Sequence, residues 1–103
     1  MTDLSLVVPV YNEKDNLSLL MDAIEAALAP IDKTWEVVFV DDGSRDGSLD
    51  VLTELAEKYP DQVRVVVFRR NFGQTAAIAA GIDHSDGSIV VLLDADMQND
   101  PAD

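Results

Sequence analysis

Ile89-Val90-Val91-Leu92-Leu93-Asp94-Ala95-Asp96-Met97-Gln98 sets five apolar residues directly before two carboxylates that stand one residue apart. The apolar run has the length and branching of a buried strand, so the acids leave its carboxyl end. Like charges this close repel unless a cation lies between them. Oxygen ligands of this kind suit a hard divalent ion, Mg²⁺ or Mn²⁺. A metal held there can bridge to a diphosphate, which marks Asp94 and Asp96 as candidate ligands for a nucleotide-activated substrate. A bare D-x-D also occurs in ordinary acidic turns, so its setting decides.

Upstream, strand-like runs alternate with helical stripes. Leu4–Val10 is a short apolar run. From Asn12 the period changes, and Leu17, Leu20, Met21, Ile24, Ala27 and Leu28 fall at helical spacing, with Pro30 after them. Trp35–Val40 reads as a second buried strand. Leu49, Leu52, Leu55, Ala56 and Tyr59 make a second helical face, stopped by Pro60. Val63–Phe68 is a third strand, Gln74–Ile82 a small apolar helix ending near His84, and Ile89–Leu93 a fourth strand. This β-α-β-α-β-α-β pattern predicts an α/β fold with a parallel sheet covered on both faces. Right-handed crossovers then favour strand order 3-2-1-4. Ligands of such sheets bind outside the strand carboxyl ends, where the chain changes direction between strands 1 and 4.

Polar segments sit at those ends. They are Pro9-Val10-Tyr11-Asn12-Glu13, Asp41-Asp42-Gly43-Ser44, Arg69-Arg70-Asn71-Phe72-Gly73 and Asp94-Ala95-Asp96. Ordinary structural duties compete for several of these residues. Ser44 or Asp46 is expected to cap the second helix, which does not exclude a binding role for Asp41. Asn12 or Glu13 is expected to start the first helix. Arg69 and Arg70 are either solvated charges or phosphate contacts. His84 reads as a helix-end residue, Trp35 as packing, and the alanines at 76, 77, 79 and 80 as room for close helix–sheet approach.

The chain has 103 residues, enough for one domain with a modest core. Its hydrophobic content of 48% argues against disorder. A net charge of −13 argues against binding a nucleic-acid backbone or an anionic lipid surface. The same charge would repel a phosphate unless a cation intervened. With no cysteine, disulfides and thiolate metal sites are excluded. Residues 1–10 lack the basic and apolar regions of a signal peptide, and no run is long enough to span a membrane, so a cytoplasmic location is expected. No G-x-G-x-x-G, P-loop or G-x-S-x-G motif is present.

The segments V-V-P-V-Y-N-E (7–13), V-F-V-D-D-G-S-R-D-G-S (38–48), R-N-F-G-Q-T-A-A-I-A-A-G (70–81) and L-L-D-A-D-M-Q-N-D-P (92–101) resemble family 2 glycosyltransferases, in particular the polyprenyl-phosphate branch. The resemblance covers nearly the whole chain. It implies a Rossmann-like GT-A fold, a UDP- or GDP-linked sugar donor, Mg²⁺ or Mn²⁺, and a polyprenyl phosphate acceptor. Position by position, it implies that Pro9, Tyr11 and Glu13 line the base and ribose pocket. It places Asp41 on the base with Asp42 beside it, and Arg70 near the nucleotide. Asp94, which also reaches the diphosphate, Asp96 and Gln98 become the metal ligands.

The family's general base and acceptor-binding residues are expected beyond Asp103. Residues 1–103 are therefore expected to be the N-terminal donor-binding half of a GT-A domain, truncated and inactive alone, from an enzyme at the cytoplasmic face of the membrane. An alternative is a non-catalytic nucleotide- or metal-binding module that oligomerises through the bare edge of the fourth strand. A receiver-like or phosphatase-like domain is disfavoured, because both place their acids after other strands.

Overall fold

Seven consecutive residues are buried in β2 (Trp35–Asp41), the pattern of a strand flanked and covered on every side. The computed structural model describes residues 2–95. In it β2 lies between β1 (Leu4–Val10) and β3 (Val63–Val67), and β4 (Ile89–Leu92) pairs with the other side of β1. All pairings are parallel and the order is β3-β2-β1-β4, as the alternating pattern required. The register sets Leu4 opposite Trp35 and Ile89, so that strands 2, 1 and 4 end near one another.

The two sheet faces differ because strand side chains alternate. Leu6, Val8, Val10, Trp35, Val37 and Phe39 join the main core with α1 (Lys14–Leu28) and α2 (Ser48–Lys58). From α1 come Leu17, Leu20, Met21, Ile24 and Leu28, the stripe expected from helical spacing except for Ala27, which is exposed. Phe39 is fully buried there, which stabilises the fold by about 1.5–3 kcal/mol relative to an exposed ring. On the opposite face α3 (Gln74–Asp83) meets Val38 and Val40 through Ala77. Gly81 lies so close to Val7 that a β-carbon would overlap the valine side chain, so small residues do bring α3 onto the sheet.

A buried polar cluster on the α3 face fixes the entry to β4. The Ser5 hydroxyl donates to Glu36 at 2.6 Å, and the Asp86 and Gly87 amides donate to Glu36 (2.6 Å) and Ser5 (2.7 Å). Arg64 pairs with Glu36 at 3.6 Å and also donates to the His84 carbonyl. His84 closes α3 with its Nδ1 on Ala80 O, the helix-end role expected of it.

One element departs from expectation. β4 has the sequence of a buried strand, yet all four of its residues are exposed, from 37% at Val91 to 63% at Ile89. Among the described residues its one strand partner is β1, and no helix buries its side chains.

Candidate functional site

The loops that leave the strand carboxyl ends are tied to one another by hydrogen bonds. Asn12 adopts a left-handed conformation (φ 54°), which Asn tolerates better than most residues. Its amide donates to Ser44 Oγ at 2.9 Å, and its Oδ1 accepts from the Arg45 amide at 2.8 Å. The next two amides, of Glu13 and Lys14, donate to Ser48 Oγ (3.0 Å) and Asp46 Oδ2 (3.2 Å). Glu13, the N-cap of α1, supplies no cap of its own. The loop after β2 and the first residue of α2 therefore satisfy two of the donors at the start of α1.

Asp46 also accepts from the amide (3.0 Å) and hydroxyl (2.5 Å) of Ser48, the first residue of α2. Desolvation pushes its carboxyl up, but the bonds from Ser48 and Lys14 outweigh this and hold it below the ordinary aspartate value. The expected capping duty thus falls on Asp46, with Gly47 at the N-cap position, while Ser44 serves the start of α1 instead.

The adjacent acids at the end of β2 have different surroundings. Asp41 is 2% exposed, and its Oδ1 has no hydrogen-bond partner among the described residues. Asp42 is 4% exposed and engages the loop before α3 with both oxygens. Its Oδ1 accepts from the Phe72 amide at 2.7 Å, and its Oδ2 accepts from the Gly73 amide and from Asn71 Nδ2, each at 3.0 Å. Beside it Gly43 (φ 76°) touches the backbone of Arg70 and Asn71.

Between these loops opens a cavity of about 460 Å³, of the size that holds a small molecule. Pro9, Tyr11, Glu13, Asp42 and Asp94, all expected at the site, form its walls with Val10 and Ala95. Asn71, Gly73 and Gln74 complete them. These three were missed by residue-level reasoning, although they fall within the polar segment after β3 and the start of α3. Two expected residues are not walls. Asp41 is buried and does not line the cavity, and the Arg70 guanidinium stacks 4.7 Å from the centre of the Phe72 ring. Phe72 in turn meets Phe68 edge to face at 5.5 Å.

Among the described residues the charged walls are Glu13, Asp42 and Asp94, with no Lys or Arg. Asp42 is engaged by its loop, and Glu13 Oε2 accepts from Asn16 Nδ2 at 2.7 Å. A phosphate entering this cavity would meet negative charge, and a hard cation held by carboxylate oxygen would remove that repulsion. Asp94, exposed at the end of β4, is placed to supply such an oxygen. Among the described residues no three His, Cys, Asp or Glu side chains cluster as a metal site. The other two expected ligands, Asp96 and Gln98, lie outside the described residues.

Comparison with known proteins adds three findings. The family model described as glycosyl transferase family 2 matches residues 5–103. Among curated relatives, the undecaprenyl-phosphate 4-deoxy-4-formamido-L-arabinose transferase of Pseudomonas syringae is 47% identical over 97 residues, covering 94% of this chain and 29% of its own length. The protein of that name from Pectobacterium atrosepticum is 44% identical, over 96% of this chain and 30% of its own length. The chain thus spans about a third or less of these relatives. Among solved structures, the mannosyltransferase PcManGT of Pyrobaculum calidifontis, in complex with GDP-Man and Mn²⁺, superposes with a TM-score of 0.80 at 33% identity. That match covers 93% of this chain and 30% of the other. TarS 1-349 of S. aureus in complex with UDP gives 0.74 at 26% identity, covering 91% and 27%.

Proposed function

Because this chain belongs to glycosyl transferase family 2 and has the GT-A sheet order, we propose that its cavity receives the nucleoside diphosphate of a sugar donor with the help of Mg²⁺ or Mn²⁺. The observation that carries the reading is a cavity at the strand carboxyl ends whose charged walls, among the described residues, are all acidic. Such a cavity is suited to a diphosphate only through a cation. Asp94 would hold the metal together with Asp96 and Gln98, and the ion would neutralise charge on the departing nucleoside diphosphate.

Pro9, Tyr11 and Glu13 would form the base and ribose side. Asp41, whose buried Oδ1 lacks a partner among the described residues, would accept an N–H of the base and so recover the cost of burying that oxygen. Arg70 could reach the nucleotide by leaving its stack on Phe72. In the longer protein the acceptor would be a polyprenyl phosphate, as the names of the relatives suggest. The general base would lie beyond Asp103, and the site would face the cytoplasm at the membrane. Among the described residues no helix is long and apolar enough to cross a membrane.

Calorimetric titration of UDP and of GDP, each with and without Mn²⁺, tests the donor site. Both bases are needed because the structural neighbours hold one each. Metal-dependent heat with one nucleotide is the expected outcome and identifies the base. Silence with both, from folded protein, would remove the donor reading for residues 1–103.

A second reading is favoured by one observation, the exposure of every β4 residue beside an edge that is unpaired among the described residues. Exposed apolar edges pair with other chains. The self-association reading expects a dimer by light scattering at high concentration, dissociating when Val91 is replaced by Lys. A monomeric mass throughout would eliminate it.

A further inference from the structure

The Asp41-Asp42 pair divides its work, and the geometry points to Asp42 as a positioning residue that shapes the donor cavity by clamping residues 71–73. This rests on the reading of the cavity as the donor site. The carboxylate of Asp42 is nearly buried, and three N–H groups from three consecutive residues of the loop before α3 converge on it at 2.7–3.0 Å. Its carbonyl oxygen accepts a further bond from Asn71 Nδ2 at 3.2 Å. Such charge-assisted bonds are the strong ones, and they leave little acceptor capacity for a ligand.

The clamped residues are not distant from the chemistry. Asn71 and Gly73 are cavity walls, and Gln74 follows as the first residue of α3. Gly73 adopts a backbone (φ 102°) that only glycine takes readily, so the loop needs external bonds to hold its shape. Asp42 supplies them from the end of β2, a strand buried along its whole length. The wall of the cavity is thereby fixed to the most rigid element of the sheet. Without the clamp, the amides of Phe72 and Gly73 lose their acceptor, and the wall would be ordered only when ligand binds, at a cost to affinity.

Asp42→Asn tests this, because the amide keeps the shape of the side chain but turns one acceptor into a donor facing Gly73 N and Asn71. Amide hydrogen exchange without ligand should quicken at Phe72 and Gly73 by about tenfold or more, while the centre of β2 stays protected. The Kd for the nucleotide and Mn²⁺ found by titration should rise by about fivefold or more, measured on folded protein. Asn71→Ala, which leaves the carboxylate intact and removes one of its donors, should move both readings in the same direction by less.

Lost affinity with unchanged exchange at Phe72 and Gly73 would make Asp42 a direct ligand and overturn the assignment. Faster exchange with unchanged affinity would overturn it too, because the clamp would then serve the fold alone. If the wild-type protein bound neither nucleotide, the donor reading would fall, and exchange alone would decide whether Asp42 holds the loop. Should Asp42→Asn not fold, Asn71→Ala carries both measurements.

Discussion

Replacing Gly43 by alanine is expected to destabilise the protein by roughly 2–5 kcal/mol, read as a lower urea midpoint. Two costs add. The residue has a φ of 76°, where a β-carbon is strained. That carbon would also lie 2.5 Å from Asn71 N and overlap the backbone of Arg70. Backbone atoms cannot rotate aside as a flexible side chain could. The loop before α3 would have to retreat from the end of β2, stretching the bonds that Asp42 makes to it. Gly73→Ala is the comparison. Its β-carbon would meet nothing within 4 Å, so it carries backbone strain alone and should cost about 1–3 kcal/mol. Equal losses at the two positions would mean that the close approach of the loops contributes little.

Asp94→Asn, at an exposed position, should leave the protein folded with a cooperative urea transition. The same change should lower metal-dependent nucleotide affinity by at least roughly tenfold. An amide keeps the size of the carboxylate and one oxygen but loses the charge that attracts a divalent ion. Any nucleotide binding measured without metal should be almost unaffected. An affinity equal to that of the wild type in Mn²⁺ would remove Asp94 from the metal site.

Much of the architecture was legible because each strand declares its surroundings. Trp35–Asp41 is apolar apart from Glu36 and its last residue, and it is buried without interruption. The stripe Leu17, Leu20, Met21, Ile24 and Leu28 is spaced for one helix face and occupies one. Crossover handedness supplied the strand order, and strand order brought the sequence-distant acids to one edge. What stayed hidden depends on partners about thirty residues away. Nothing local distinguishes Asp41 from Asp42, and their difference arises only when the loop after β3 meets one and not the other. Ser44 looked like a cap for the helix that follows it, yet its hydroxyl serves a loop that precedes it by 32 positions. The position of β4 at a bare edge followed from the strand order, but the exposure of its side chains did not, because an apolar run records what a strand can bury and not whether anything covers it.

The borrowed capping of α1 bears on the order in which the chain can assemble. A helix that carries its own cap can flicker into existence alone, but the first turn of α1 relies on Ser48 and Asp46 for the acceptors that complete it. Those acceptors arrive only after β2 has docked beside β1 and turned back. β1, α1, β2 and the head of α2 are therefore coupled, and the side of the cavity formed by Pro9, Tyr11, Glu13 and Asp42 takes shape with them. A molecule with its first helix fully formed already has that side of the pocket in place, while the wall from residues 71–74 and the end of β4 is added afterwards.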